Sequence, residues 1–187
     1  KNVLIVTNRP AIANSWFDDF TEFIAWQEPG MKFVSETDAL AERAPMTRED
    51  YNKYVHANVN NEDLNIRCVA FISLQDLKGA RFAGGIYDKL EWVEGTKWDL
   101  LVIDEAHEGI DTLKTDRAFD KIKRKFTLHL SGTPFKALAN QKFSAEQIYN
   151  WSYLDEQNAK AEWEDTEPRT NPNASLPALH LLTYQMS

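Results

Sequence analysis

Two adjacent carboxylates, Asp104 and Glu105, directly follow the apolar run 100–103, and His107 stands two residues further on. The run predicts a buried strand, and in open α/β sheets ligands bind at the carboxyl edge of the strands. One carboxylate can hold Mg²⁺ through water, because Mg²⁺ keeps much of its hydration shell. The other can orient or deprotonate an attacking water. Asp-Glu alone fits an acidic strand-to-loop junction better, but the Asp-Glu-Ala-His tetrad behind four apolar residues favours nucleotide hydrolysis.

A second group of polar residues, Ser131 to Thr133, follows the apolar segment Phe126 to Leu130. Its hydroxyl groups can hydrogen-bond His107 or a neighbouring carboxylate across a sheet edge, and Gly132 permits a tight turn. Taken alone, the segment is typical of an ordinary turn. A functional role is favoured by its separation in sequence from the two carboxylates, which leaves room for one helix between two adjacent strands.

Apolar runs that alternate with helical patterns predict an α/β fold with a mainly parallel sheet. The predicted strands, of which the second is the weakest, are Val3–Val6, Lys32–Val34, Cys68–Ser73, Leu100–Ile103 and Phe126–Leu130. A final strand is predicted at Leu179–Met186.

Capping residues predict where two helices begin. Ser15, with Asp18 three residues later, predicts one helix start, and Thr47 with Asp50 predicts another helix that runs to about Val55. Further helical faces are predicted for Ile86, Leu90 and Val93, ending at Gly95, and for Ala118, Phe119, Ile122 and Phe126. Four tryptophans are expected in the core: Trp16, Trp26, Trp92 and Trp98.

Composition narrows the class of protein. The 187 residues are 43% hydrophobic, which indicates a globular chain, and no apolar run is long enough to span a membrane. The net charge of −8 argues against a small basic nucleic-acid module, although it does not exclude a motor that grips DNA through a few loops. The single cysteine, Cys68, excludes an internal disulfide framework and favours a reducing, cytoplasmic setting.

These motifs together resemble a known family. Asp104 to His107 followed by Ser131 to Pro134 is similar to motifs II and III of superfamily-two helicases and translocases. The segment Val6 to Trp16 resembles motif Ia, and Phe71 to Leu77 is a weaker match to the segment before motif II. The segments Asn-Arg-Pro-Ala-Ile and Leu-Ser-Gly-Thr-Pro-Phe most resemble those of the motor subunits of type I and type III restriction enzymes. The resemblance covers about residues 1–136.

The resemblance implies an incomplete RecA-like (P-loop NTPase) lobe with a mainly parallel central sheet flanked by helices. It implies ATP and Mg²⁺ as cofactors, with Asp104 holding Mg²⁺ through water and Glu105 activating the attacking water. His107, Ser131 and Thr133 are then expected to couple hydrolysis to movement. Residues 1–150 are assigned to a partial first motor lobe, and residues 151–187 to an acidic, proline-containing linker toward a second lobe.

In motif Ia, the end of a strand and the start of the next helix touch the DNA backbone. The resemblance therefore implies that Thr7, Asn8 and Arg9 contact double-stranded DNA, and an arginine is a good phosphate donor. A solvated loop arginine is the alternative for Arg9. The implied partners are a second RecA-like lobe and the nuclease, specificity or methyltransferase parts of a parent enzyme.

The sequence departs from the family pattern at the phosphate-binding loop, which in the family precedes motif Ia. Residues 79–84 imitate its glycine spacing, but Gly85 and Ile86 stand where lysine and a hydroxyl residue belong, so a turn is predicted there. The chain is therefore expected to be a cut fragment that does not hydrolyse ATP by itself. Two alternatives stay open: a helicase of another nucleic-acid pathway, and a non-catalytic nucleic-acid-binding or docking module that keeps a relic of the fold.

Overall fold

A five-stranded parallel sheet organises the chain, in a computed structural model that describes residues 1–88, 90–104, 118–133, 143–163, 171, 174 and 177. The strands are β1 (Val3–Thr7), β2 (Met31–Val34), β3 (Arg67–Ser73), β4 (Trp98–Asp104) and β5 (Arg124–His129). Their order is β2-β3-β1-β4-β5, and every pair is parallel. The predicted α/β class and the five predicted strands up to residue 130 are confirmed. The strand predicted at Leu179–Met186 lies outside the described residues.

Helices connect the strands, as a parallel sheet requires. The α-helices are α1 (Ala13–Phe23), α2 (Arg48–Asn58), α3 (Leu74–Gly79), α4 (Glu91–Gly95) and α5 (Tyr153–Ala161). Short 3₁₀ helices lie at Pro10–Ile12, Asp38–Arg43, Arg81–Ala83 and Ala145–Gln147, and residues 118–121 are helical. The chain divides into two compact units, Lys1–Asn140 and Gln141–Ser187, and the whole sheet belongs to the first.

The start of α1 differs from the prediction. Ser15 does not cap this helix, because the chain already turns helically at Pro10–Ile12 and α1 then begins at Ala13 without a side-chain cap. Pro10 fixes φ near the helical value and so starts the turn early. Asp18, the predicted partner of Ser15, forms an ion pair with Arg43 instead.

Thr47 caps α2 as predicted. Its hydroxyl oxygen accepts a hydrogen bond from the backbone N–H of Asp50 at 3.1 Å, which satisfies one donor of the first turn. The helix continues past Val55 to Asn58, one turn beyond the predicted end.

The predicted helical face at Ile86 to Val93 is only partly correct. Leu90 and Val93 are buried, but α4 begins at Glu91, and Ile86 is 76% exposed. The segment before it is a turn, as predicted: Gly84 has φ +88°, and a Cβ on Gly85 would lie 2.1 Å from the carbonyl oxygen of Gly79. Only glycine at position 85 allows the backbone to pass so close to the carbonyl group of Gly79.

Side chains alternate between the two faces of the sheet. One face, here called the closed face, carries Leu4, Ala70 and Leu101, and it packs against α3, α4 and the helical residues 118–121. The opposite face, here called the open face, carries Ile5, Phe71 and Val102, and α1 packs against it. The tryptophans divide accordingly: Trp98 is buried as predicted, Trp16 and Trp92 are partly buried, and Trp26 is 72% exposed and therefore not a core residue.

Candidate functional site

Several predicted site residues meet at the carboxyl edge of the sheet. Thr7 at the end of β1 is in register with Ser73 at the end of β3 and with Asp104 at the end of β4. On the other side of β4, the backbone N–H of Leu130 donates to the carbonyl oxygen of Ile103 at 2.9 Å. The chain leaving β5 toward Ser131 therefore starts beside the end of β4. Parallel strands bring their carboxyl ends to one edge, and that edge is where ligands bind in such folds.

The end of β1 is an ordered corner. The Thr7 side chain is buried, and its hydroxyl oxygen accepts a hydrogen bond from the backbone N–H of Arg9 at 3.0 Å. The Asn8 side-chain oxygen accepts a hydrogen bond from the Gln75 amide at 3.1 Å, which joins this corner to α3. Arg9 itself is exposed on the surface. The corner thus presents an arginine from a fixed backbone, which suits a contact with a phosphate.

Asp104 is held at the end of β4 by a residue of α1. The indole N–H of Trp16 donates to Oδ2 of Asp104 at 2.9 Å. A carboxylate oxygen is the hard ligand that Mg²⁺ prefers, and a water-mediated contact needs only one such residue. Asp104 at this position therefore fits the predicted magnesium role.

The hydroxyl residues after β5 form the predicted turn. The backbone N–H of Thr133 donates to the Ser131 hydroxyl oxygen at 3.2 Å. Thr133 is exposed and Ser131 is partly exposed, so the turn presents hydroxyl groups on the side of the sheet where β4 ends.

Glu105 and His107 lie outside the described residues, and their roles stay predictions. Within the ranges that the structure describes, no group of three or more histidine, cysteine, aspartate or glutamate side chains is arranged to hold a metal ion.

Two residues at this edge were not singled out for the site from the sequence. Ser73 is buried and caps α3: its hydroxyl accepts from the backbone N–H of Asp76 at 3.0 Å and donates to Oδ2 of Asp76 at 2.8 Å. A serine followed three residues later by an acid is the signal that could have found this cap. Trp16 was expected in the core, and no pattern in the sequence indicates that its indole reaches Asp104.

Across the part of the chain that the structure describes, no helix is both long enough and apolar enough to cross a bilayer.

Comparison with known proteins places these features in a family. Residues 1–136 match the model of the family described as type III restriction enzyme, res subunit. A protein of Mycoplasma pneumoniae, named "Putative type II restriction enzyme and methyltransferase" with the qualifier "C-terminus", is 27% identical over 200 aligned residues. The alignment covers 85% of this chain and 25% of that relative, so the chain spans about a quarter of the relative's length. With the matched range, the chain belongs to the type III restriction enzyme res subunit family, and its five-stranded parallel sheet is that of a RecA-like α/β lobe.

Proposed function

We propose that this chain is part of an ATP-driven translocase of double-stranded DNA that serves a restriction enzyme. One observation carries the proposal: the candidate DNA-contacting corner at Thr7 and the candidate magnesium residue Asp104 end two adjacent strands of one sheet, in register with each other. A motor needs its nucleotide site and its DNA contact to be mechanically connected. Two hydrogen-bonded neighbouring strands supply such a connection.

For the nucleotide, Asp104 would hold Mg²⁺ through water, and the bound ion would neutralise charge on the phosphates of ATP. Glu105 would take the proton of the water that attacks the terminal phosphate. His107, Ser131 and Thr133 would form hydrogen bonds that change with the state of the nucleotide. The register between β4 and β5 supports this role, because it brings the turn after β5 beside the end of β4.

For the DNA, Thr7, Asn8 and Arg9 would hold the sugar-phosphate backbone. The exposed Arg9 side chain supplies the positive charge, and the bonds to Thr7 and Asn8 keep the corner in one conformation. Contacts of this kind carry no sequence information, as a protein that moves along DNA requires. A second RecA-like lobe and nuclease, specificity or methyltransferase parts would complete the enzyme. The relative's name, which combines a restriction enzyme and a methyltransferase, supports that arrangement.

The decisive experiment measures DNA-stimulated ATP hydrolysis by the intact protein that carries this sequence. Glu105→Gln should keep ATP binding and lower turnover by at least about 100-fold, because an amide keeps the shape of the side chain but cannot take a proton. Asp104→Asn should raise the Mg²⁺ concentration needed for nucleotide binding. The purified 187 residues alone should not hydrolyse ATP, because they contain no glycine-rich loop followed by lysine and a hydroxyl residue. Wild-type turnover in both variants, or no turnover in the intact protein, would exclude the proposed ATPase.

A second arm of the same experiment tests the DNA contact. Arg9→Ala should weaken binding equally on unrelated duplexes and lower the slope of log affinity against log salt by about one. Arg43→Ala is the matched control, because this arginine pairs with Asp18 and is not proposed to touch DNA. If Arg9→Ala lowers the melting temperature and leaves affinity and its salt slope unchanged, Arg9 is a structural residue and not a DNA contact.

A further inference from the structure

Trp16 links the helix after the DNA-contacting corner to the carboxylate at the end of β4. Its indole N–H lies 2.9 Å from Oδ2 of Asp104, a normal distance for a charge-assisted hydrogen bond. The indole nitrogen is a donor only, so the direction of the bond is unambiguous. The contact joins residues that are 88 positions apart in the sequence.

The packing of α1 fixes the indole in place. Trp16 is half-buried against the core of the open face, and Phe20, one turn further along α1, is buried in that core beside Ile5 and Val102. Moving the indole away from Asp104 would therefore disturb the contact between α1 and the sheet. The Asp104 side chain can rotate about two χ angles. An indole donor that packing holds in place favours one combination of these angles.

We propose that Trp16 is a positioning residue for Asp104. By occupying Oδ2 it fixes the orientation in which the carboxylate would meet the hydration shell of Mg²⁺. The inference rests on the proposed role of Asp104. It adds a residue that acts through Asp104, and it connects α1, which directly follows Arg9 and the turn at Pro10–Ile12, to the nucleotide site.

The chain offers a matched control for this role. Trp26, just beyond the end of α1, also donates its indole N–H, at 2.8 Å, but to the backbone carbonyl oxygen of Glu22, and its side chain is largely exposed. Trp16→Phe and Trp26→Phe each keep an aromatic ring and remove one indole donor. Only Trp16→Phe removes a hydrogen bond to the candidate magnesium residue, Asp104.

In the intact protein, DNA-stimulated ATP hydrolysis is measured across a Mg²⁺ titration for wild type, both tryptophan variants and Asp104→Asn. Trp16→Phe should raise the Mg²⁺ concentration for half-maximal turnover by about 10-fold, the usual effect of losing a partner of a metal ligand, with turnover restored at saturating Mg²⁺. Trp26→Phe should match wild type. In the Asp104→Asn background, Trp16→Phe should add little further loss, because the two residues act through one interaction.

A second measurement does not depend on activity. In the 187-residue chain labelled with ¹⁵N-tryptophan, the indole resonance of Trp16 should move on Asp104→Ala, while that of Trp26 stays unchanged. Should Trp16→Phe fail to fold, replacing Trp16 by 3-benzothienylalanine keeps the ring shape and removes only the N–H donor, and the Mg²⁺ titration is repeated with it.

The outcomes separate the inference from the proposed function. If Asp104→Asn turns over ATP like wild type, the role of Asp104 and the proposed function fail together. If Asp104→Asn is impaired while the Trp16 and Trp26 variants have the same Mg²⁺ dependence, the proposed function stands and the positioning role of Trp16 is wrong. The same conclusion follows if Asp104→Ala does not shift the indole resonance of Trp16.

Discussion

The two faces of the sheet differ most at β5, which presents polar side chains on one face and apolar side chains on the other. On the closed face, the side chains of β1, β3 and β4 are buried beneath α3, α4 and the helical residues 118–121. The aromatic and aliphatic side chains of this cluster include Trp98, Leu74, Leu77, Val93 and Ile122, each at most 1% exposed. Over β1, β3 and β4 this face is buried, whereas the β5 side chains on it, Lys125 and Thr127, are polar and exposed.

Among the described residues, the open face is covered over β1 and β3, whereas the β5 side chains on this face are exposed. Beside α1 runs a groove of about 750 Å³, lined from the sheet by Val3, Leu100 and Leu128. On β5, Phe126 is 69% exposed and Leu128 is 45% exposed, and both point to this face because they are in register with Leu100 and Val102. Strands of a parallel sheet are normally buried on both faces, and in the described part of the chain β5 departs from this rule.

The difference separates stability from function in this lobe. Both faces hold apolar core over the inner strands, but the side chains proposed for chemistry, Thr7 and Asp104, belong to the open face, the side on which α1 supplies Trp16. Substitutions on the closed face should therefore unfold the lobe. Substitutions at β5 on the open face should change the surface and leave the fold intact.

The largest expected effect is a cavity in the closed face. Leu101→Ala removes a side chain that is 0% exposed, and it should lower the free energy of unfolding by about 2–5 kcal/mol. Leu128→Ala, the same substitution on the open face, should cost at most about 1 kcal/mol, because nearly half of the side chain is already in water. Urea unfolding followed by circular dichroism measures both. Equal losses would show that the two faces are equally packed.

A smaller effect is expected from Cys68, whose thiol is buried in the closed face. Burial raises the pKa of this thiol from 9.0 to about 11, although a hydrogen bond with Tyr51 acts in the other direction. The neutral thiol thus favours the folded state at any pH below 9.0, and this stability is lost as the pH rises toward 11. At pH 10 the loss should be about 1 kcal/mol.

Cys68→Ala provides the control for that effect. Between pH 8 and pH 10 the wild type should lose about 1 kcal/mol more unfolding free energy than the variant, since alanine cannot ionise. The constant cost of the smaller side chain cancels when each protein is compared with itself at the two pH values. The same pH dependence in both proteins would mean that the thiol is more accessible to water than the closed face implies.

The sequence predicted the parts of this molecule that local patterns determine. The strands, the Thr47 cap and the turn at residues 79–84 follow from apolar runs, a hydroxyl three residues before an acid, and closely spaced glycines. The sequence also predicted that the site residues lie at the carboxyl edge of the sheet, because parallel strands place their carboxyl ends together. Ser15 was misjudged because Pro10 starts helical structure before the capping signal is reached.

What the sequence could not show depends on tertiary contacts. Trp16 and Trp26 are the same residue type and were both expected in the core, yet one reaches Asp104 and the other lies on the surface. Only the position of α1 on the sheet distinguishes them. The helix α5 was also not predicted, because its apolar positions are few and an acidic, proline-containing composition favoured a linker, whereas the Ser152–Asp155 capping box begins a helix there.

The smallest effect on stability, and the sharpest test of the open face, is expected at Phe126. Its ring is 69% exposed on β5, so Phe126→Ser removes little buried area and should change the free energy of unfolding by no more than about 0.5 kcal/mol. The same substitution should reduce binding of a dye that reports exposed apolar surface and should raise solubility, because an exposed aromatic on an edge strand promotes association. Lys125→Ser is the control on the neighbouring position: it removes the ion pair with Asp99 but no apolar surface, so dye binding should not change. A loss of several kcal/mol in Phe126→Ser, or unchanged dye binding, would mean that the ring is packed in solution and that the open face is covered at β5.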